Sequence, residues 1–169
     1  MAGQAVYEQA GALQRGVRRF AASGPGSWIF ARVAHHIDRP VFRLTGGRHT
    51  FATLISGLPI VMLTTTGARS GLERTVPVVG LPAPDGLAVI ASSYGQKNHP
   101  GWYHNLRANP AGRVSINGSS HAVHASEAQG ALRERIWQEA LKVYPGFSTY
   151  ERRATHRKIA VFLLQEVEG

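Results

Sequence analysis

The chain has 169 residues, of which 43% are hydrophobic and 17% charged, so it fits one globular domain with a hydrophobic core and excludes an intrinsically disordered chain. Its 19 Lys and Arg residues outnumber its 10 Asp and Glu residues, and the net charge of +9 predicts an anionic partner, such as nucleic acid, an acidic membrane surface or a phosphorylated small molecule. The sequence contains no Cys, which excludes disulfides, Cys-ligated metal sites and thiol catalysis.

Residues 1–48 are predicted to form a helical extension with a net charge of +5, from seven Arg residues against two acidic ones. Apolar residues recur every three or four positions from Tyr7 to Phe20, and Ser27 can begin a second helix. The extension either packs across the domain with solvated Arg side chains or lies on an acidic bilayer through apolar residues around Trp28. No apolar run reaches the roughly 20 residues of a membrane span, and the first residues do not resemble a signal peptide. We therefore expect a cytoplasmic protein, with or without peripheral contact at the inner face of the cell membrane.

Residues 49–169 are predicted to form one domain of the α+β class. Apolar and β-branched runs predict six strands, at 59–66, 74–81, 87–93, 113–116, 121–125 and 158–167. Pro77 lies inside the second run, which predicts a sheet edge or a bulge there. A short helix is expected over 99–108, and Ser126 with Gln129 fits a capping box before a second helix. Six short strands with few strand–helix–strand crossovers favour an antiparallel barrel with helices packed on it.

Familiar catalytic and nucleotide-binding motifs are missing from the sequence. It has no Gly-rich dinucleotide fingerprint, no P-loop, no HExxH and no GxSxG. The eight His residues have spacings that suit no shared metal, and no clustered pair of carboxylates offers acid–base catalysis. No nucleic-acid recognition motif accompanies the positive charge. We therefore expect no metal, no nucleic-acid partner and a chemistry that is supplied by a bound cofactor.

The first candidate binding segment runs from Thr64 to Gly71 and is followed by Arg74. A strand ends in three Thr residues, a turn bounded by Gly follows, and Arg69 and Arg74 supply two guanidinium groups. Hydroxyl, backbone N–H and guanidinium donors together suit a phosphate group. A plain hairpin turn with solvated Arg side chains explains the same pattern equally well.

The second candidate segment runs from Ser92 to Leu106. Two Ser residues end a strand, Lys97 lies in a Gly-containing loop, and Trp102 lies on the short helix. This set can hold a planar ring at the strand end while Lys97 meets an anion. From the residues alone, packing of Trp102 and Leu106 against the barrel is the favoured interpretation.

The third candidate segment has aromatic residues at three-residue spacing, at Tyr144, Phe147 and Tyr150. They would line one face of a pocket if the segment is helical. Pro145-Gly146 instead predicts a helix end or a loop, which would suit a lid. Aromatic filling of the core is a third interpretation.

Together these segments resemble one protein family. The sequence reads LTTTGARSGLER, then SSYGQKNHPGWYHNLRANP, then YPGFSTY, in that order. This set resembles the deazaflavin-dependent nitroreductase family, whose members are split β-barrel oxidoreductases that use coenzyme F420. The HPGWYHNLRANP stretch is the most specific part, and the resemblance runs from about residue 40 to the C-terminus.

The resemblance implies an anionic coenzyme, a deazaflavin ring with a phospholactyl-polyglutamate tail. It implies that Arg69, Ser70 and Arg74 hold the phosphate region and that Lys97 adds a cation. The residues implied to border the ring or to shape the site are Thr75, Val76, Pro77, Ser92, Ser93, Trp102 and Asn105. Many members carry a second basic residue where this chain has Ala68.

The resemblance also implies an acceptor pocket lined by Tyr144, Phe147 and Tyr150, with Tyr150 orienting or protonating the substrate. Many members have Tyr at the position of Phe147. The implied reaction passes a hydride from the reduced deazaflavin to an electron-poor acceptor, which is a quinone, a conjugated enone or a nitro compound. The active form is expected to be a monomer or a homodimer.

Two alternatives stay open at this point. An FMN-binding split-barrel oxidoreductase would need only Arg69 and Arg74, because FMN carries a single phosphate. A non-catalytic cofactor-binding or membrane-surface module would use the same positive charge without chemistry.

Overall fold

The computed structural model describes residues 57–167, together with Gly16, Val17 and Ser23. The predicted N-terminal helices, their packing or membrane contact, and the predicted boundary after residue 48 lie outside the described residues. The strands are Ile60–Thr66 (β1), Glu73–Ala83 (β2), Gly86–Ile90 (β3), Ala111–Ile116 (β4), Ser119–Glu127 (β5) and Val161–Glu166 (β6). The α-helices in the described part are Gly101–Ala108 (α1), Gly130–Val143 (α2) and Gly146–Arg153 (α3). None of these helices is long and apolar enough to cross a membrane.

The six strands form a closed barrel in the order β1-β2-β3-β6-β5-β4. Every neighbouring pair is antiparallel, including the β1–β4 pair that closes the barrel. The predicted α+β class and antiparallel barrel are therefore confirmed. Asn117 and Gly118, which both have positive φ, form the predicted tight turn that joins β4 to β5.

Two local predictions differ from the structure. β3 ends at Ile90, because the Ser92 N–H donates to the Ile90 carbonyl at 2.9 Å and turns the backbone out of the ladder. The capping box at Ser126 is wrong, since Ser126 lies inside β5 opposite Leu163. The alternation of buried and exposed residues in β5 continues through Ser126, and α2 begins only after Gln129.

The barrel is split on one side of β2. β2 pairs with β1 from Glu73 to Val79, but its pairing with β3 begins only at Gly80. Within residues 57–167, the first half of β2 therefore has one strand neighbour. Pro77 lies in this half, opposite Met62 of β1, which confirms the predicted sheet edge.

Two apolar clusters fill the molecule on either side of the strands. The barrel interior contains Leu63, Val114 and Phe162 and is capped by buried residues of α1. The second cluster lies between α2, α3 and the outer face of the sheet, and it contains Trp137 and Val161. Neighbouring residues of β3 alternate between the two clusters, so this strand separates them.

Candidate functional site

Two connecting segments and one helix meet at the same end of the barrel. β1 and β3 both run antiparallel to β2, so their C-terminal ends lie at the same end. The β1–β2 turn (residues 67–72) follows β1, and the β3–α1 loop (residues 91–100) follows β3. α1 packs into the barrel interior directly after this loop. The topology thus brings together the first two segments that the sequence singled out.

The β1–β2 turn presents the exposed residues Arg69 and Ser70, and Arg74 follows as the exposed second residue of β2. Within residues 57–167, neither guanidinium group donates a hydrogen bond to a protein acceptor. Arg113 differs, because its Nη2 donates to Glu73 Oε2 at 2.8 Å. Arg69 and Arg74 are therefore cations without a described protein partner, as an anion site requires.

The amide groups of this turn are mostly used inside the protein. The Gly67 N–H donates to the Leu72 carbonyl at 2.9 Å, and the Gly71 N–H donates to the Gly67 carbonyl at 2.8 Å. The Leu72 N–H donates to Ser70 Oγ at 3.3 Å, which leaves the Ser70 hydroxyl hydrogen for another acceptor. An anion at this turn would therefore be held mainly by side chains, in contrast to the predicted backbone cradle.

Asn105 on α1 fixes the turn to the helix. Its Oδ1 accepts the Ala68 N–H at 3.0 Å, and its Nδ2 donates to Thr65 Oγ1 at 3.0 Å. Thr65 is almost fully buried. Because both ends of the Asn105 amide are engaged, this residue shapes the site by holding the turn.

The residues predicted to border a ring lie at the split of the barrel and in the β3–α1 loop. Thr75, Val76 and Pro77 are half-buried in the first half of β2, and the hydroxyl oxygens of Thr75 and Thr64 lie 2.9 Å apart. In the loop, Ser92 and Ser93 are half-buried.

The β3–α1 loop also carries Lys97, which is exposed. Within the described residues its ammonium group donates no hydrogen bond to the protein. Lys97 is thus a third cation at this end of the barrel, on the loop after β3.

The backbone of the β3–α1 loop turns through a left-handed conformation. Ser93, Tyr94 and Gly95 have φ values of 47°, 55° and 76°. Non-glycine residues in this region are strained by about 1–3 kcal/mol each and persist only where the surroundings hold them. A Cβ on Gly95 would lie 2.8 Å from the Tyr150 carbonyl oxygen, so the turn packs tightly on α3.

Trp102 is buried in the barrel interior, where its ring meets the ring of Phe162 at a centroid distance of 5.9 Å. Leu106 is buried in the same cluster. The structure therefore favours the interpretation that Trp102 packs α1 against the barrel interior.

Tyr144, Phe147 and Tyr150 come together as one buried aromatic cluster. The predicted helix end is confirmed, because α2 ends at Val143, but a loop does not follow, because α3 begins directly after Pro145, whose fixed φ is compatible with a helix start. The Tyr144 and Tyr150 hydroxyl oxygens lie 3.0 Å apart. All three rings belong to the outer apolar cluster. The structure thus supports aromatic filling of the core, and a role in acceptor binding stays a prediction.

Tyr150 connects this cluster to the β3–α1 loop. Its ring meets the Tyr94 ring edge-to-face at a centroid distance of 5.8 Å. Burial, and then the neighbouring Tyr144, raise the pKa of Tyr150 far above its ordinary value. Its hydroxyl group therefore keeps its proton at neutral pH and can act as a donor, but not as a base.

Sequence reasoning missed Arg157, which lies between α3 and β6. Its guanidinium group donates to three backbone carbonyls of the β3–α1 loop, those of Ala91, Ser92 and Gln96. Beside it, His156 Nε2 lies 3.0 Å from the Lys97 carbonyl oxygen. In the sequence, Arg157 follows two other Arg residues of a polar stretch, so no local signal distinguishes it from a solvated cation.

The surroundings of His99, at the end of the β3–α1 loop, make the stability of the folded protein dependent on pH. Its ring stacks on Tyr103 at a centroid distance of 3.8 Å, and its Nδ1 lies 3.4 Å from Arg157 Nη1. Burial, followed by the charge of Arg157, lowers the pKa of His99 below its ordinary value of 6.5. The other charged or titratable groups around it are His104, Glu127 and Arg107.

Since the unfolded chain takes up this proton at higher pH than the folded chain, the stability from neutral His99 is present above pH 6.5 and is lost as pH falls below that value. We expect the wild-type melting temperature to fall more than that of His99→Gln between about pH 7.5 and about pH 5.5. Thermal unfolding at both pH values measures this, with exposed His124→Gln as the control. Equal falls in the wild type and His99→Gln would contradict the prediction.

Comparison with known proteins identifies the family. Residues 36–166 match the family model of the F420H(2)-dependent quinone reductases. An F420H(2)-dependent quinone reductase of Mycobacterium tuberculosis is 32% identical over 127 residues, which cover 73% of this chain and 84% of that protein. A similar protein of Mycobacterium bovis shows the same identity and coverage.

Solved structures agree with these relatives. An F420-H2 dependent reductase superposes with a TM-score of 0.58 and 38% identity, covering 63% of this chain and 94% of that one. A chain described as a domain-swapped dimer gives a TM-score of 0.61 and 32% identity, covering 84% of this chain and all of that one. The resemblance found in the sequence motifs is confirmed, and the chain belongs to the F420H2-dependent quinone reductase family, oxidoreductases whose cofactor is coenzyme F420.

Proposed function

We propose that this enzyme reduces a quinone with F420H2 bound at the end of the barrel where the β1–β2 turn and the β3–α1 loop meet. The observation that carries the proposal is the presence there of three exposed cations, Arg69, Arg74 and Lys97, that donate to no protein acceptor among the described residues. Cations without protein partners fit a coenzyme with a phosphate group and several carboxylates. The side chains present at this end of the barrel therefore fit an anionic cofactor.

Different residues are proposed to bind different parts of the coenzyme. Arg69 and Arg74 bind the phosphate with charge-assisted hydrogen bonds, and the free hydrogen of the Ser70 hydroxyl adds a donor. Lys97 binds a carboxylate of the tail as a point charge. Asn105 takes part indirectly, because it holds the turn on α1.

The ring and acceptor sites are proposed around the split of the barrel. Thr75, Val76 and Pro77 border the ring on one side, and Ser92 and Ser93 border it on the other. When bound, the reduced deazaflavin supplies the hydride. The protein's contribution is to orient the acceptor and to keep bulk water out of the reacting pair.

Conversion of a quinone to a hydroquinone also takes a proton for each hydride. Tyr150 is proposed to orient the acceptor by donating a hydrogen bond from its Oη, and water supplies the proton, because the raised pKa of Tyr150 holds the proton on its hydroxyl group and makes it a poor acid. The aromatic cluster is closed in the described conformation. Contact between Tyr144, Phe147 or Tyr150 and the acceptor therefore requires that α3 or its aromatic side chains move.

The finer features of the proposal concern acceptors and assembly. Quinones are supported by the names of the family and of the relatives, whereas conjugated enones and nitro compounds are proposed as further acceptors. A homodimer is supported by the solved domain-swapped neighbour. Cytoplasmic location, with contact between the N-terminal extension and an acidic bilayer, stays a prediction from its charge.

The test is a titration of the purified full chain with coenzyme F420, followed by reoxidation of F420H2 by a quinone under anaerobic conditions. We expect saturable quenching of tryptophan fluorescence and loss of F420H2 at a rate that depends on both enzyme and quinone. In the same assay, Tyr150→Phe is expected to lower kcat by about 10- to 100-fold while it leaves the Kd for F420 unchanged, because it removes a hydrogen-bond donor to the acceptor oxygen that gains negative charge.

FMN provides the contrast in this test. A protein that purifies yellow and keeps flavin absorbance through dialysis would support the FMN alternative, as would an F420 titration without quenching. Binding of F420 without quinone turnover would leave a cofactor-binding module and would contradict the proposed reaction.

A further inference from the structure

We propose that Arg157 is a positioning residue that holds the β3–α1 loop in the shape required for coenzyme binding. This inference rests on the proposed function, because the loop carries the predicted coenzyme contacts Ser92, Ser93 and Lys97. Arg157 itself lies in the connection between α3 and β6.

The contacts of Arg157 bracket the left-handed turn from both sides. Nη1 donates to the Ala91 carbonyl at 3.1 Å and Nη2 donates to the Ser92 carbonyl at 2.7 Å, just before the turn. Nε donates to the Gln96 carbonyl at 3.1 Å, just after it. One planar group thus fixes the distance between the two ends of the turn.

The loop needs such a support because its backbone is strained. Ser93 and Tyr94 both have positive φ, a region of backbone conformation that is unfavourable for residues other than glycine. The turn makes two hydrogen bonds of its own, from the Gly95 N–H to the Ser92 carbonyl and from the Gln96 N–H to the Ser93 carbonyl, both at 2.9 Å. Arg157 adds three charge-assisted hydrogen bonds to the backbone on both sides of this turn.

The chemistry of the guanidinium group suits this role better than any other side chain. Its N–H donors point in fixed directions in one plane, so one group reaches three carbonyls at once. The Arg157 side chain is half-buried, and this burial lowers the pKa of its guanidinium group below the ordinary value. The backbone of Arg157 is fixed in turn, since its N–H donates to the Ala154 carbonyl at 3.0 Å.

Loss of Arg157 is therefore expected to weaken coenzyme binding, although Arg157 does not itself contact the coenzyme. Without its three bonds the loop relaxes to unstrained conformations, and binding must order it again. We expect Arg157→Ala to raise the Kd and the KM for F420 by about 10- to 100-fold, while kcat at saturating coenzyme changes by less than about threefold.

The experiment compares Arg157→Ala, Arg157→Lys and the control Arg135→Ala, an exposed residue of α2, in the full chain. Kd is measured by tryptophan quenching, KM and kcat by quinone-dependent oxidation of F420H2, and folding by thermal unfolding. Arg157→Lys is expected to resemble Arg157→Ala, because one ammonium group cannot span the three carbonyls. Added ethylguanidinium is expected to lower the Kd of Arg157→Ala, whereas ethylammonium is not.

A second readout needs no coenzyme. Hydrogen exchange of the Gly95 and Gln96 amides is expected to be faster in Arg157→Ala than in the wild type or in Arg135→Ala. This readout separates the two proposals: wild-type protein that fails to bind F420 contradicts the proposed function, whereas unchanged exchange contradicts the role of Arg157.

The inference is overturned if Arg157→Ala binds F420 as tightly as the wild type, or if its kcat falls as much as its KM rises. It is also overturned if Arg157→Lys keeps wild-type affinity, because a single charge would then suffice. If Arg157→Ala does not fold, Arg157→Lys carries both the affinity and the exchange measurements.

Discussion

Replacement of Arg69 and Arg74 together by Ala is expected to weaken the binding of F420 by about 100-fold or more. Both guanidinium groups are exposed and donate to no protein acceptor among residues 57–167, so their loss removes ligand contacts and leaves the fold unchanged. Hydrogen bonds to a charged group contribute about 1.5–3 kcal/mol each, and 1.4 kcal/mol is a factor of ten in Kd. The Kd from fluorescence titration measures the effect.

The matched control removes two positive charges elsewhere. Arg135 on α2 and Arg152 on α3 are exposed, and their double replacement by Ala changes the net charge equally. We expect this control to change the Kd by less than about threefold, because only long-range attraction is lost. Raising the salt concentration should weaken binding in the wild type more than in Arg69→Ala/Arg74→Ala. Equal Kd values for the two double variants would place the phosphate elsewhere on the molecule.

Replacement of Phe162 by Ala is expected to reduce the free energy of unfolding by about 3–5 kcal/mol, a large part of the stability of an ordinary domain. Phe162 lies in β6 with its ring in the barrel interior, 2% exposed. The ring meets those of Trp102 and Tyr103 of α1 at centroid distances of 5.9 and 5.8 Å. The substitution therefore leaves a cavity between the sheet and the helix that holds the β1–β2 turn.

Urea unfolding of Phe162→Ala and Phe162→Leu measures this loss. Phe162→Leu fills most of the cavity and is expected to lose less than about half as much stability. Because α1 carries Asn105, the folded fraction of Phe162→Ala should also bind F420 more weakly. A loss of less than about 1 kcal/mol in Phe162→Ala would show that α1 does not depend on this contact.

Much of the barrel could be predicted from the sequence because its strands leave strong local signals. The β-branched run of β1 and the Asn117-Gly118 turn each predict their structure from a few neighbouring residues. Pro77 predicts an edge or a bulge because proline has no backbone N–H to donate to a neighbouring strand. The capping box predicted from Ser126 and Gln129 is wrong because Ser126 pairs with Leu163 of β6. No local sequence pattern reveals this pairing between strands that are distant in the chain.

The positively charged residues of the candidate site could be predicted from the sequence, whereas the residues that hold its turn and loop in place could not. Arg69, Arg74 and Lys97 stand in recognisable motifs, and the topology places their segments at the same end of the barrel. Asn105 and Arg157 hold these segments through hydrogen bonds to residues that are 37 to 66 positions away in the chain. Residue type alone could therefore not show their positioning roles. The left-handed Ser93 and Tyr94 were equally hidden, because neither residue type favours positive φ.

The position of β6 in the barrel has a consequence for how the chain folds. β6 pairs with β3, where Leu87 lies opposite Leu164, and it also pairs with β5. The ring of strands cannot close until this strand, near the end of the chain, is available. Contacts so distant in sequence slow folding, because loop-closure entropy is lost before the contacts form. During synthesis, therefore, β1 to β5 emerge from the ribosome before the barrel can close, and their apolar surfaces stay incompletely covered until β6 follows.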